Sequence, residues 1–583
     1  MRTLFLHPHD VPTRGPWSTQ RWDLIVDLGK SSRFTREGWS RQFGCDVISV
    51  GGEGIEIARE AGRMLASHRG RVVDEEGIDW WELTSLHIAP ALLTLLSLQR
   101  IVGDILPGAD LWATRPGTPL RIVELLLGRS ANVYGQSVSS QIAGRLGHYS
   151  GIFRRLSMAQ VKEIAFDKYD AGYKWRSRFA TQHEPISTSV VLLPSAYENV
   201  SRMATDYARL LPDQLFLIVA TRASAWTCEP PANVLMRDLA AYAVREDAQP
   251  ETEALLARWS DCRAEMQKVP EFDVLDRSGA FNPIAGWIRN GLRARNAWRQ
   301  VLEREPVQSV FCGDDSNFYT RLPVDLAVRR KIPTVDFHHG ALDGRYLMKK
   351  LPSDLYMAKS EMERDYLLRV CGLPEARIVL GAPPHQPASS SGVFASNSQK
   401  RDAAILFSEP YEVSGTRTEE MYREILPILC RLARQNGRTV IVKLHPFESI
   451  ADRRRIVRQV LDPEEAKIVT VMDGPLTPEL LARAWFGITV ESTTVLDCMK
   501  SGIQCFLCGW ISLSLFQYAE QYVRFGVGDL LTDASQIAEI PHRLEDFRQR
   551  PTALQSDLFP VADSNLLRQW LLGHNVGATR PVP

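Results

Sequence analysis

Residues 439–449 read TVIVKLHPFES. A run of β-branched and aliphatic residues, broken only by Lys443, stops at His445-Pro446. Proline has no N–H and cannot extend a ladder, so the strand ends there. A strand apolar on both faces belongs to a parallel sheet covered by helices on both sides. In open sheets of that kind, ligands bind beyond the carboxyl ends of the strands. This one stretch sets a fold class and puts an imidazole at the edge where a ligand binds.

The pattern recurs along the chain. In the N-terminal half, strands are expected at RTLFL (2–6), DLIVDL (23–28), DVISV (46–50), SVVLLP (189–194), LFLIVA (215–220), SVFCG (309–313) and PTVDFHH (333–339). A second series follows at DLYMA (354–358), RIVLG (377–381), AAILFS (403–408), TVIVKL (439–444), KIVTV (467–471), FGITV (486–490) and IQCFLC (503–508). Between them lie helical patterns such as EEMYREILPILCRLARQNG (419–437), closed by Asn-Gly. Strands alternating with helices make an α/β protein. With 583 residues, more than one domain is expected. The reading is an N-terminal domain over 1–380 with a helical insertion near 243–300, and a C-terminal domain over 403–575. The Pro-, Ser- and Gly-rich 381–402 reads as a linker or exposed loop, and 576–583 as a flexible tail.

Composition excludes several classes. Lys and Arg total 69, Asp and Glu total 69, and the net charge is zero, which argues against a nucleic-acid partner. The basic run ADRRRIVRQV (451–460) has helical spacing and reads as a solvated face. Nine cysteines, an odd number in apolar contexts, point to a reducing, cytoplasmic compartment. Cys505 and Cys508 form a CxxC without a second pair, inside an apolar run, so core packing is expected of them. No signal-peptide pattern opens the chain, and the apolar window 87–98 falls short of the roughly 20 residues a membrane span needs. Peripheral association with the inner face of a membrane stays open. No GxGxxG, Walker A, HExxH or GxSxG pattern occurs, so dinucleotide oxidoreductase, P-loop and serine-hydrolase readings lack their usual anchors. No cofactor and no metal are expected.

Polar residues just after the strands carry the chemistry. In the C-terminal half these are His445-Pro446, with Lys443 just before them, Ser408-Glu409 after AAILF, and Glu491-Ser492-Thr493-Thr494 after FGITV. Hydroxyls and N–H groups at a helix start, beside an imidazole, suit a phosphate. In the N-terminal half, Asp314-Asp315 follow SVFCG, and His338-His339-Gly340 follow PTVDF, with Asp343 and Arg345 beyond. Carboxylates and imidazoles there suit acid, base or nucleophile roles, with Glu198 after SVVLLP as a further candidate. The first strand leads into His9 and Asp10 at the cleft. The stretch VPTRGPWSTQRWD (11–23) reads equally as an acceptor-binding loop or an ordinary connection.

With HHG in the first half, and HP and a Ser/Thr-led helix in the second, the chain resembles GT-B glycosyltransferases, built of two Rossmann-like domains facing across a cleft. The likeness is to bacterial capsule and lipopolysaccharide enzymes with cytidine-nucleotide donors: Kdo transferases, polysialyltransferases and, more distantly, CDP-glycerol glycerophosphotransferases. It implies a glycosyltransferase moving Kdo or a related acidic sugar from a CMP-linked donor, without a metal. The acceptor would be a surface polysaccharide or lipid-linked glycan. It implies His445 and Ser492 or Thr493 as donor-phosphate contacts, with Glu409 along the nucleotide. It also implies an Asp nucleophile, for which Asp314 and Asp315 are the candidates. The acidic general-base motif of polysialyltransferases has no clear counterpart here. Alternatives are a CDP-glycerol or ribitol-type phosphotransferase, a nucleotide-sugar 2-epimerase and a non-catalytic scaffold.

Overall fold

The computed structural model describes residues 1–134, 183–384, 401–511, 518–548 and 558–572, apart from breaks at 51–53, 106–107, 223–224, 226–229, 244–248, 341, 343–344, 412–415 and 447. The described strands form three parallel sheets. The first holds β1 (Arg2–Leu6), β2 (Leu24–Asp27), β3 (Asp46–Ser49), β4 (Asp110–Ala113) and β5 (Asn132–Val133), in the order β3-β2-β1-β4-β5. The second holds β6 (Val190–Ser195), β7 (Leu215–Ala220), β8 (Val234–Asp238), β9 (Val307–Cys312), β10 (Thr334–Phe337), β11 (Leu355–Ala358) and β12 (Ile378–Leu380), in the order β12-β11-β10-β9-β6-β7-β8. The third holds β13 (Ala403–Phe407), β14 (Thr439–Lys443), β15 (Val469–Met472), β16 (Ala484–Thr489), β17 (Cys505–Cys508) and β18 (Asp529–Leu531), in the order β15-β14-β13-β16-β17-β18.

The second and third orders reverse after the first strand in each unit and resume with the fourth beside it, the doubly wound arrangement. The first sheet shares this order, so the chain is α/β with three Rossmann-ordered units. The stretch 1–380, read from sequence as one such domain, contains two of them. The strands that separate them, β4 and β5, are four and two residues long and carry Asp110 and Asn132. No apolar run marks them.

Helix Trp80–Ile101 runs through the core between the first two sheets, with Trp80, Trp81, Leu92 and Leu95 buried. It is long and apolar enough to cross a membrane, and 72% of its most apolar window is buried within the protein. Its partners include helix Ile284–Arg304, where Gly291 leaves room for the Trp80 ring. The expected insertion is helical, at Gln249–Met266, Pro270–Arg277 and Ile284–Arg304.

The chain returns after the third sheet. Ala382 bridges Val561, and helix Ser564–Leu572 packs Leu567 and Leu571 against Phe311, Val335 and Phe337 of the second sheet. That helix, inside the stretch 403–575, therefore covers the second unit. Most of the expected linker 381–402, and the whole tail 576–583, lie outside the described residues.

Candidate functional site

In the third sheet the order reverses between β13 and β16, where a ligand crevice forms in such folds. Glu409 follows β13, and its Oε1 accepts from the Thr489 hydroxyl at 3.0 Å and the Glu491 N–H at 3.1 Å. It ties the end of β13 to the turn after β16. Burial pushes its carboxyl up to about 7, against the hydrogen bonds that favour the charged form.

One strand out, His445 stands half-buried after β14, and Pro446 is exposed beside it. The His445 N–H donates to Glu448 Oε2 at 2.8 Å. Glu448 Oε1 accepts from Ser408 Oγ at 2.8 Å and Arg453 Nε at 2.6 Å. Glu448 thus braces the ends of β13 and β14 together, and a Glu three residues after His445 is the signal that could have found it. Ser408 also pairs with the Tyr422 hydroxyl at 2.7 Å, so its hydroxyl serves this brace. Burial, and then Lys443, lowers the His445 imidazole to about 4. At neutral pH the ring is uncharged and offers one N–H and one lone pair. The Lys443 ammonium donates to Leu444 O at 2.8 Å and Gly474 O at 2.7 Å, tying β14 to the loop after β15.

Ser492, Thr493 and Thr494 are half-buried in the turn after β16. Thr494 N–H donates to Ser492 Oγ at 3.4 Å, and the Thr494 hydroxyl is buried without a partner. The helix they open, Thr494–Lys500, has only seven residues, so hydroxyls rather than a helix dipole dominate this turn.

The second sheet reverses between β6 and β9. Asp314 Oδ1 accepts the Ser316 N–H at 3.2 Å. Asp315 is wholly buried and ion-paired with Lys349, whose Nζ also donates to Ser316 Oγ at 3.1 Å and sits 3.8 Å from the Tyr346 ring centre. Burial and the neighbouring Asp315 raise the Asp336 carboxyl well above its ordinary range. Asp315 therefore occupies a charge-paired interior position.

His339 Nδ1 lies 3.0 Å from Gly313 O, so Nδ1 carries the hydrogen and Nε2 is the basic nitrogen. His338 has the opposite tautomer, because Gly340 N–H donates to its Nδ1 at 3.1 Å. The two rings lie 5.0 Å apart. Arg222 Nη1 donates to the Tyr197 hydroxyl at 3.1 Å, beside His339, and Lys359 Nζ donates to Gly340 O at 2.8 Å. Glu198 is exposed at the start of helix Glu198–Ala208. Arg345 opens helix Arg345–Met348, while Asp343 lies outside the described residues.

The first sheet's edge is different. His9 is exposed, whereas Asp10 is buried and paired with Arg115 Nε at 2.8 Å. The 11–23 stretch is a folded connection: Trp17 Nε1 donates to Val11 O at 2.9 Å, and Trp22 Nε1 to Trp17 O at 3.0 Å. Arg417, from the third unit, fills the crevice. Its guanidinium donates to Asp27 Oδ1 at 2.8 Å, Ser31 Oγ at 2.6 Å, His7 O at 3.1 Å and Asp10 O at 2.5 Å. Burial alone would raise the Asp27 carboxyl, but Arg417, together with Ser31 and the Gly29 N–H, holds the group below its ordinary range. Sequence reasoning missed Arg417, and no local signal marks it.

No protein family and no curated protein matches the sequence. Among solved structures, the calicheamicin glycosyltransferase CalG4 is similar at 14% identity and a TM-score of 0.40, over 67% of this chain and 99% of that one. The UDP-GlcNAc 2-epimerase from Neisseria meningitidis is similar at 12% identity and a TM-score of 0.41, over 66% of this chain and 100% of that one. The glycosyltransferase SnogD from Streptomyces nogalater is similar at 12% identity and a TM-score of 0.37, over 67% and 99%.

Proposed function

We propose that this chain is a glycosyltransferase that takes a sugar from a nucleotide donor at the ligand edge of the third sheet and passes it to an acceptor hydroxyl on the side of the second. One observation carries the reading: the braced edge where His445, Ser492, Thr493 and Thr494 stand beside the switch point between β13 and β16. Departure of a nucleoside phosphate leaves growing negative charge, and fixed donors aimed there lower the barrier. A neutral imidazole N–H and hydroxyls supply such donors from the protein itself. The basic Nε2 of His339 suits proton removal from an acceptor hydroxyl. Of the two aspartates, Asp314 is the better candidate for the anomeric carbon, because Asp315 is held inside by Lys349.

The donor is a cytidine nucleotide of Kdo or a related acidic sugar, and the acceptor a bacterial surface polysaccharide or lipid-linked glycan. That assignment extends the HHG and HP resemblance. The eight described cysteines are all free thiols, which suits the cytoplasmic face of a membrane.

Calorimetric titration with CMP, CDP, UDP and GDP, beside His445→Ala, tests the site. Tight CMP binding, weakened at least about tenfold by the substitution, is expected. A preference for CDP points to phosphotransfer. Nucleotide binding indifferent to His445→Ala would overturn the placement of the site.

A further inference from the structure

The first unit does more than dock on the third. Its β2–α turn, Asp27-Leu28-Gly29-Lys30-Ser31-Ser32, is held at both ends by Arg417 and Glu424 of the third unit. Asp27 and Ser31 grip Arg417, which immediately precedes helix Thr418–Gln435. Ser32 and Thr35 donate their hydroxyls to the Glu424 carboxylate, which also accepts from Trp510 Nε1 at 2.8 Å. Trp510 stands just after β17. Arg417 follows β13 and Trp510 follows β17, and in the third sheet β16, with Glu491 and Ser492 at its end, lies between those two strands.

Lys30 is the one cation within that turn, and it is partly buried. Burial lowers its ammonium, and the Glu491 carboxylate raises it, so the two groups share one electrostatic environment. A carboxylate at a phosphate-binding edge repels the ligand unless a cation offsets it. An ammonium on a flexible stem serves phosphate as a point charge.

Resting on the donor-site reading above, we infer that Lys30 of the first unit completes the phosphate-binding site of the third, meeting the phosphates of the nucleotide donor across the Glu491-Ser492 turn. The site is therefore composite. The first unit contributes a ligand-binding residue, although its own crevice is filled by Arg417.

Titrating wild type, Lys30→Gln, Lys30→Arg and His445→Ala with CMP, CDP and UDP, and with cytidine and uridine, tests this. Lys30→Gln is expected to bind the nucleotides about tenfold or more weakly, with nucleoside binding unchanged and a shallower salt dependence. Lys30→Arg should stay within about threefold of wild type, because the charge is kept. Full nucleotide affinity in Lys30→Gln, with loss in His445→Ala, overturns the inference and leaves the donor site standing. Equal loss of nucleotides and nucleosides in Lys30→Gln, or an equal loss in Lys30→Arg, overturns it as well. Full affinity in both Lys30→Gln and His445→Ala removes the donor-site reading and this inference together.

Discussion

The first and third units share a strand order but treat their crevices in opposite ways. In each, a carboxylate follows the first strand: Asp10 after β1 and Glu409 after β13. Asp10 is paired with Arg115, and its neighbour Asp27 with Arg417, so that edge is closed by guanidinium–carboxylate contacts. Glu409 instead accepts from a hydroxyl and a backbone N–H, and the guanidinium at this edge, Arg453, pairs with Glu448 one strand out. Half-buried His445 and Ser492 stand beside it. Topology sets where a crevice forms, while side chains decide whether it becomes a socket for the protein or a site for a ligand.

The strongest way to break this comparison is to empty the socket. Arg417→Ala leaves the wholly buried Asp27 without its cation, and removing one partner of a buried pair costs about 3–5 kcal/mol. Urea denaturation should show a loss of that size. The emptied crevice should not become a second nucleotide site, so calorimetric stoichiometry should stay at one per chain. Unchanged stability, or a second bound nucleotide, would show that the two crevices differ less than their contacts suggest.

The same contrast divides the aspartates of the second unit. Asp315→Ala strands the buried Lys349 ammonium and should likewise cost about 3–5 kcal/mol in urea. Asp314→Ala removes only an acceptor for the Ser316 N–H, about 1 kcal/mol, while lowering kcat about a hundredfold or more. A stable, inactive Asp315→Ala would reverse these roles.

Sequence patterning was sufficient for the strands that are apolar throughout. Each run named from AAILFS to IQCFLC, and each in the N-terminal half, is a strand. The strands that escaped it are short or polar: β5 is Asn132–Val133, and β8 carries Arg237 and Asp238. Missing β4 and β5 hid the division of 1–380 into two units. At the site, strand-end residues such as His445 could be read because proline and periodicity mark where a strand stops. Their partners could not. Lys349 reaches Asp315, and Arg417 reaches Asp27, across sequence distances on which local pattern carries no information. That is why Asp315, held in a buried ion pair, and Asp314, bonded to a backbone N–H, look alike in sequence.

The two crevices should also respond to pH with opposite signs. The Asp27 carboxyl lies below its ordinary value in the folded chain, so its contribution is present above the unfolded value near 3.8 and lost as pH falls. Glu409 titrates at about 7 when folded and near 4.5 when unfolded. The folded state keeps its proton where the unfolded state has lost it, so its contribution is full below about 4.5 and declines as pH rises to about 7. Glu409→Gln keeps an acceptor for Thr489 and the Glu491 N–H but cannot ionise. It should match wild type near pH 4.5 and exceed it at pH 8, by about 3 kcal/mol in urea denaturation. The penalty of Arg417→Ala should move the other way and shrink only in acid. If Glu409→Gln were instead less stable than wild type at pH 8, the carboxylate would be held charged, and the third crevice would resemble the first after all.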